Sequence, residues 1–149
     1  MPGTAASRVL VVEDDQLVRT FLRRALERGG LSVEEAMDGA ATLDRLLGDD
    51  PPDAVLLDGL LPDIHGVVLA RRLLDDPRTS GLPICFLTGA VQRRTTSTAG
   101  ISCLAKPVRP TELVDEIETL LAWTRAGGSP LEERRAALEQ LGSGFLVGP

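Results

Sequence analysis

Short apolar runs alternate along the chain with longer segments in which hydrophobic residues recur at helical spacing. The runs are Arg8 to Glu13, Leu31 to Ala36, Ala54 to Leu57, Leu82 to Leu87 and Ile101 to Leu104. Each has the length of a strand buried on both faces. Between the first two, Leu17, Phe21, Leu22, Ala25 and Leu26 recur at steps of three to five, which predicts a helix ended by Gly29 and Gly30. Further helices are expected from about Gly39 to Leu47, from about Ile64 to Leu74, and after Pro110, where Leu113, Ile117, Leu120 and Leu121 share one face. Strands alternating with helices in this way predict an α/β fold: a doubly wound, five-stranded parallel sheet whose right-handed crossovers place helices on both faces.

Two segments depart from that rhythm. Gly89 to Gly100 carries Thr95, Thr96, Ser97 and Thr98, residues that favour caps and turns, so a short or frayed fourth helix is expected there. After Trp123 the chain turns to Ala126, Gly127, Gly128 and Ser129, a linker; the main domain is read as residues 6–124, and residues 125–149 as linker, short helix and apolar tail. Ser129, Pro130 and Glu132 fit the N-cap, first position and capping acid of a last helix running to Leu141. A helix of that length is marginal alone in water, so its Leu131, Leu138 and Leu141 edge is expected to dock on this domain or on a second copy. Phe145, Leu146 and Val147 follow as an apolar tail.

Composition narrows the functional classes. The chain has 149 residues, enough for one good core and too few for two full domains. Net charge is −6, and the arginines are dispersed without a dense basic stretch, which argues against direct nucleic-acid binding. With no tyrosine and three phenylalanines, base-stacking platforms are poorly supplied. No apolar run is long enough to span a bilayer and no signal peptide is recognisable, so a soluble, cytoplasmic protein is expected. Cys85 and Cys103 each sit in a strand-like run, which suits buried thiols in a reducing compartment. Lys106 is the only lysine among sixteen basic residues, a hint that a compact ammonium is wanted at that place.

In a sheet of this kind, ligands bind at the carboxyl ends of the strands. The first strand ends in Glu13, Asp14 and Asp15, the third in Asp58, the fourth in Thr88 and Gly89, and the fifth in Lys106 and Pro107. Carboxylates converging in one space repel each other, and a hard divalent cation such as Mg²⁺ relieves that repulsion through oxygen ligands. Asp58 beside such an ion could attack phosphorus, with Thr88 and Lys106 satisfying phosphoryl oxygens. Taken singly, each residue has a plainer reading. Asp15 is expected to cap the helix from Gln16 rather than bind metal, Asp58 could be a turn residue, and Thr88 an ordinary strand-end hydroxyl. Their joint placement is what favours a site. His65, the only histidine, is read as a solvent-facing loop residue.

VLVVEDD at Val9 to Asp15, DAVLLDGLLPDIHG at Asp53 to Gly66, FLTGA at Phe86 to Ala90 and CLAKPV at Cys103 to Val108 together resemble the receiver domain of bacterial two-component response regulators, over about Arg8 to Trp123. The resemblance implies a flavodoxin-like strand order, 2-1-3-4-5. It also implies an acidic pair, Glu13 and Asp14, that positions Mg²⁺, with the backbone carbonyl of Leu60 as a further ligand. Asp58 would be the phosphoacceptor, Thr88 the switch hydroxyl and Lys106 the phosphoryl-contacting lysine, followed by Pro107 as a candidate cis partner. A histidine kinase or a phosphotransfer protein would donate the phosphoryl group, a protein target would receive the signal, and a homodimer is a candidate assembly.

Departures from the family pattern carry their own expectations. An aromatic residue is common three positions before the lysine, where this chain has Cys103, so switching without that aromatic is expected. The interval from Thr88 to Lys106 is short for the family by about one helical turn. The positions that tune phosphoryl lifetime are Leu60 and Ala90, neither of which can orient water, so slow self-hydrolysis is expected. Three other readings compete with a phosphoacceptor. A degenerate receiver would act as a constitutive interaction module. A phosphatase of the haloacid-dehalogenase type needs an aspartate where Leu60 stands, and a nucleotide-binding enzyme needs a Gly-rich phosphate loop that is missing.

Overall fold

The structure, a computed structural model, describes residues 5–89, 95–96 and 99–145. Its strands are β1 (Arg8–Val12), β2 (Ser32–Ala36), β3 (Ala54–Asp58), β4 (Ile84–Thr88), β5 (Thr95–Thr96) and β6 (Ile101–Ala105). Its helices are α1 (Gln16–Arg28), α2 (Gly39–Leu46), α3 (Gly66–Asp75), α4 (Pro110–Arg125) and α5 (Leu131–Phe145). The sheet order is β2-β1-β3-β4-β6-β5. All pairings are parallel except the edge pair β5 and β6. The five parallel strands thus follow the expected 2-1-3-4-5 order. The short or frayed helix expected within Gly89 to Gly100 falls mostly outside the described residues, and the described pair Thr95–Thr96 is an edge strand.

Strand alternation splits the apolar runs between two cores. Leu10, Val12, Val55, Leu57, Ile84, Phe86, Ile101 and Cys103 face one side, under α2 and α3. Val9, Val11, Ala54, Leu56, Cys85, Leu87 and Leu104 face the other, under α1 and α4. Burial on both faces is why the runs lack a polar alternation. Both cysteines are buried, and burial pushes the Cys103 thiol up to about 12.

The helices begin and end as local chemistry dictates. Asp15 caps α1 by accepting from the N–H groups of Leu17 (2.9 Å) and Val18 (3.1 Å), as expected. Gly29 closes that helix, and Gly30 takes the positive φ of 88° that lets the chain turn into β2. Pro110 opens α4.

Helix α5 docks on this same domain. It packs against α3 and β6, with Leu138 buried and Leu141 half-buried against the α2–α3 core, whereas Leu131 stays exposed. It therefore covers the sheet face beside β6, on the same side as α3. Two ion pairs tie it to α3: Arg71 to Glu139 through two contacts of 2.6 and 2.8 Å, and Arg135 to Asp75 at 2.6 Å. The helix starts at Leu131, one residue later than expected, and the Ser129 hydroxyl accepts from the Trp123 indole at 2.9 Å. Residues 146–149 of the apolar tail lie outside the described residues.

Candidate functional site

Strand register levels the carboxyl ends of the central strands. Asp58 lies opposite Leu87, Thr88 opposite Ala105, and Val12 opposite Leu57. The residues that follow Val12 and Ala105 therefore reach the same edge as Asp58 and Thr88. Carboxylate oxygens of Glu13, Asp14 and Asp58 lie within 4.8 Å of one another. Lys106 Nζ is 3.1 Å from Glu13 Oε1 and 3.4 Å from Asp58 Oδ1. Glu13 is 2% exposed, Asp58 9% and Thr88 5%, while Asp14 faces solvent.

Main-chain bonds hold these side chains in place. Glu13 N–H continues the β1–β2 ladder by donating to Ala36 O at 3.1 Å, and Glu13 Oε2 accepts from Asp15 N–H at 3.2 Å. Lys106 N–H donates to Thr88 O at 2.9 Å, and the Lys106–Pro107 peptide is cis. Leu60 N–H donates to Asp58 Oδ1 at 3.3 Å, while its side chain points into solvent, 68% exposed. Gly66 N–H donates to Gly59 O at 2.9 Å, and a Cβ on Gly66 would come within 2.6 Å of Asp58 O, so glycine is required for that close approach.

The electrostatics favour a cation. Burial, the largest influence on Glu13, raises its pKa above the usual carboxylate value, opposed by the Asp15 N–H and by Lys106. For Lys106, burial is again the largest single influence and acts downward. The hydrogen bond to Glu13 and the charges of Asp58 and Glu13 together outweigh it, and the net shift is upward, so the ammonium stays charged. One ammonium faces three carboxylates, which leaves net negative charge in a partly desolvated pocket. The donor set is all oxygen and thus hard, as Mg²⁺ requires. Oxygens sharing one such ion lie at most about 4.2 Å apart, so a small contraction of the cluster suffices. The residues fit the ion.

Several expected and unexpected residues flank the pocket. His65 is not simply a solvent-facing loop residue: it is half-buried and caps α3, its Nδ1 accepting from Val67 N–H at 3.4 Å. Asp63, unremarked in the sequence, accepts from Gly39 and Ala40 N–H at 2.8 and 3.0 Å and ties the acceptor loop to the start of α2. The Gly39 hydrogen bond is the main reason its pKa is lowered. Ala90 lies outside the described residues.

The profile of the response regulator receiver domain matches residues 9–118. The chain belongs to that family. Receivers are the signalling domains of two-component systems, and this receiver is a phosphoacceptor signalling domain. It is 41% identical over 126 residues to the response regulator MprA of Mycolicibacterium vanbaalenii, covering 78% of this chain and 51% of the relative. It is 39% identical over 127 residues to the MprA of Mycobacterium avium, covering 79% and 52%. The receiver thus spans about half the length of these curated relatives. Among solved structures it resembles a putative response regulator from Chloroflexus aurantiacus, with 33% identity, a TM-score of 0.69, and coverage of 78% of this chain and 98% of that one. A CheY-like receiver from Methanospirillum hungatei matches at 25% identity and a TM-score of 0.69, over 83% and 99%. Beside the acidic pocket of the receiver, Leu17, Val18, Phe21, Leu22, Leu87 and Pro107 help line an apolar groove of about 500 Å³ that Lys106 borders. No described helix is long and apolar enough to cross a membrane.

Proposed function

We propose that this receiver accepts a phosphoryl group on Asp58 from the phosphohistidine of a histidine kinase or phosphotransfer protein, and thereby controls a protein target. The observation that carries the reading is the convergence of Glu13, Asp14, Asp58 and Lys106, from three separate strand ends, on one pocket. An Asp58 carboxylate oxygen forms a bond to phosphorus as the phosphorus–nitrogen bond of the donor breaks. The electron pair leaves with the imidazole, which takes up a proton. Lys106 meets the charge on the transferred group, and Thr88 offers its hydroxyl to another oxygen. Mg²⁺ would be held by Glu13, Asp14, Asp58 and the Leu60 carbonyl, and when bound it neutralises charge on the phosphoryl oxygens.

Leu17 and Phe21, 82% and 43% exposed, form an apolar shoulder next to the acceptor, and a donor helix with an apolar stripe would fit it. The reaction is the receiver's own phosphorylation and dephosphorylation, with no small-molecule turnover. Residues 6–124 are the receiver unit and residues 125–149 an appended segment, and the protein works in the cytoplasm, where such donors and their thiol-reducing surroundings are found.

Incubation of the full chain with acetyl phosphate and Mg²⁺, followed by intact mass, tests this. The expected result is a gain of one phosphoryl group that Asp58→Asn abolishes. A gain that survives in the Asn variant removes Asp58 from its role. No gain in a folded, Mg²⁺-loaded chain would favour a constitutive interaction module.

A further inference from the structure

Arg19, on α1, reaches back to the loop that carries both acidic residues. Its Nη1 donates to Glu13 O at 2.8 Å and lies 3.4 Å from Asp14 O. Its Nε donates to Glu35 Oε1 on β2 at 3.2 Å, and the side chain is 12% exposed. The β1–β2 register ends at Val12 with Ala36, so these two carbonyls lie past the last paired residue. A carbonyl drawn out of water at a strand end needs a donor, and the guanidinium supplies one. Its planar fork serves the loop and Glu35 at once, which an ammonium on a flexible stem does poorly. Glu35 also accepts from Arg23 at 3.0 Å, and Arg23 has a second carboxylate in Glu27 at 3.9 Å, so two carboxylates balance the two guanidiniums. Arg19 therefore shapes the loop without adding an uncompensated positive charge next to a cation pocket.

We propose that Arg19 is a positioning residue: by gripping the main chain of Glu13 and Asp14, it holds both carboxylates toward Asp58 and so sets the affinity of the pocket for a divalent cation. The inference rests on the reading of that pocket as a Mg²⁺ site. Loss of the grip frees the loop, and binding must then repay the ordering of its backbone. Groups that orient metal ligands from outside the coordination sphere typically contribute tenfold to a hundredfold in affinity.

Calorimetric Mg²⁺ titration of the unphosphorylated full chain, for the native protein, Arg19→Met and Arg19→Lys, tests it alongside urea unfolding in chelator. Arg19→Met is expected to weaken Mg²⁺ binding about tenfold, with Arg19→Lys recovering part of the loss. With acetyl phosphate, the Mg²⁺ concentration for half-maximal rate should rise in proportion while the rate at saturating Mg²⁺ changes little. Mg²⁺ affinity unchanged in Arg19→Met, whatever the urea midpoint does, overturns the proposal and leaves Arg19 a structural tie. If Arg19→Met does not fold, Glu35→Gln, which loosens the same guanidinium, is expected to weaken Mg²⁺ severalfold, and an unchanged affinity there is equally fatal. A native chain that binds no Mg²⁺ would instead bring down the metal reading itself.

Discussion

The guanidinium of Arg134 lies 4.8 Å from the centroid of the Trp123 ring, joining α5 to the end of α4. Arg134 is 1% exposed. Its Nε donates to Ala99 O at 2.9 Å and its Nη2 to Leu82 O at 2.5 Å, with Gly100 O at 3.4 Å and a further bond to Ser80 O. Burial lowers its pKa to about 10, still well above neutrality, so the buried charge persists and is met by carbonyl dipoles and the ring face. Trp123 in turn packs on Gly100, where φ is 71° and any Cβ would lie within 2.6 Å of the indole. This plug fastens α5 onto the sheet face beside β6.

Arg134→Met should therefore destabilise the receiver by about 3 kcal/mol, since it removes a buried donor group from the Ser80 and Leu82 carbonyls. Urea unfolding reads the loss. Leu138→Ala, which removes the buried apolar contact of the same helix, should cost about 3 kcal/mol as well. A change below about 0.5 kcal/mol for either would mean that α5 is not part of the cooperative unit.

Cys103 stands where an aromatic residue is common in the family. It is fully buried in the cluster that also contains Leu138, so α5 closes over the space beside it. Cys103→Phe is expected to overpack that face and to cost about 2 kcal/mol, measured as a lower unfolding midpoint with an unchanged urea slope. A neutral substitution would indicate that α5 yields readily.

Glu13 predicts a pH signature. Its pKa is raised above 4.5 in the folded chain, chiefly by burial, so the native state binds this proton more tightly than the unfolded one. The stability it contributes is complete below 4.5 and is lost as pH rises through the native value. In chelator, the stability of the native sequence minus that of Glu13→Gln should therefore fall from pH 4.5 toward neutrality. A difference that is flat or rises with pH would contradict the burial argument.

Leu60 bears on the lifetime of the phosphorylated state. Its exposed side chain lies beside the acceptor and carries no group that could orient water. The acyl phosphate is expected to persist for minutes or longer at neutral pH, and Leu60→Glu to shorten it severalfold, followed by intact mass after removal of the donor. Decay within seconds in the native chain would defeat this expectation.

The alternation of apolar runs and helical spacing was enough to determine the five parallel strands and α1 to α4, and the capping residues announced α5, because strands buried on both faces and amphipathic helices leave direct periodic signatures. The acidic and basic strand ends were legible for the same reason: once the strands are placed, Glu13, Asp58, Thr88 and Lys106 must emerge at one edge. Tertiary structure alone decided the rest. Arg134 reads in sequence as one more polar position on a surface helix, and its carbonyl partners lie 34 to 54 residues away on two loops. Likewise, nothing local marks Arg19 as a grip on the acidic loop or Asp63 as the anchor of α2. A charged side chain is buried where carbonyls from distant segments converge to meet it, and that convergence exists only after the chain has packed.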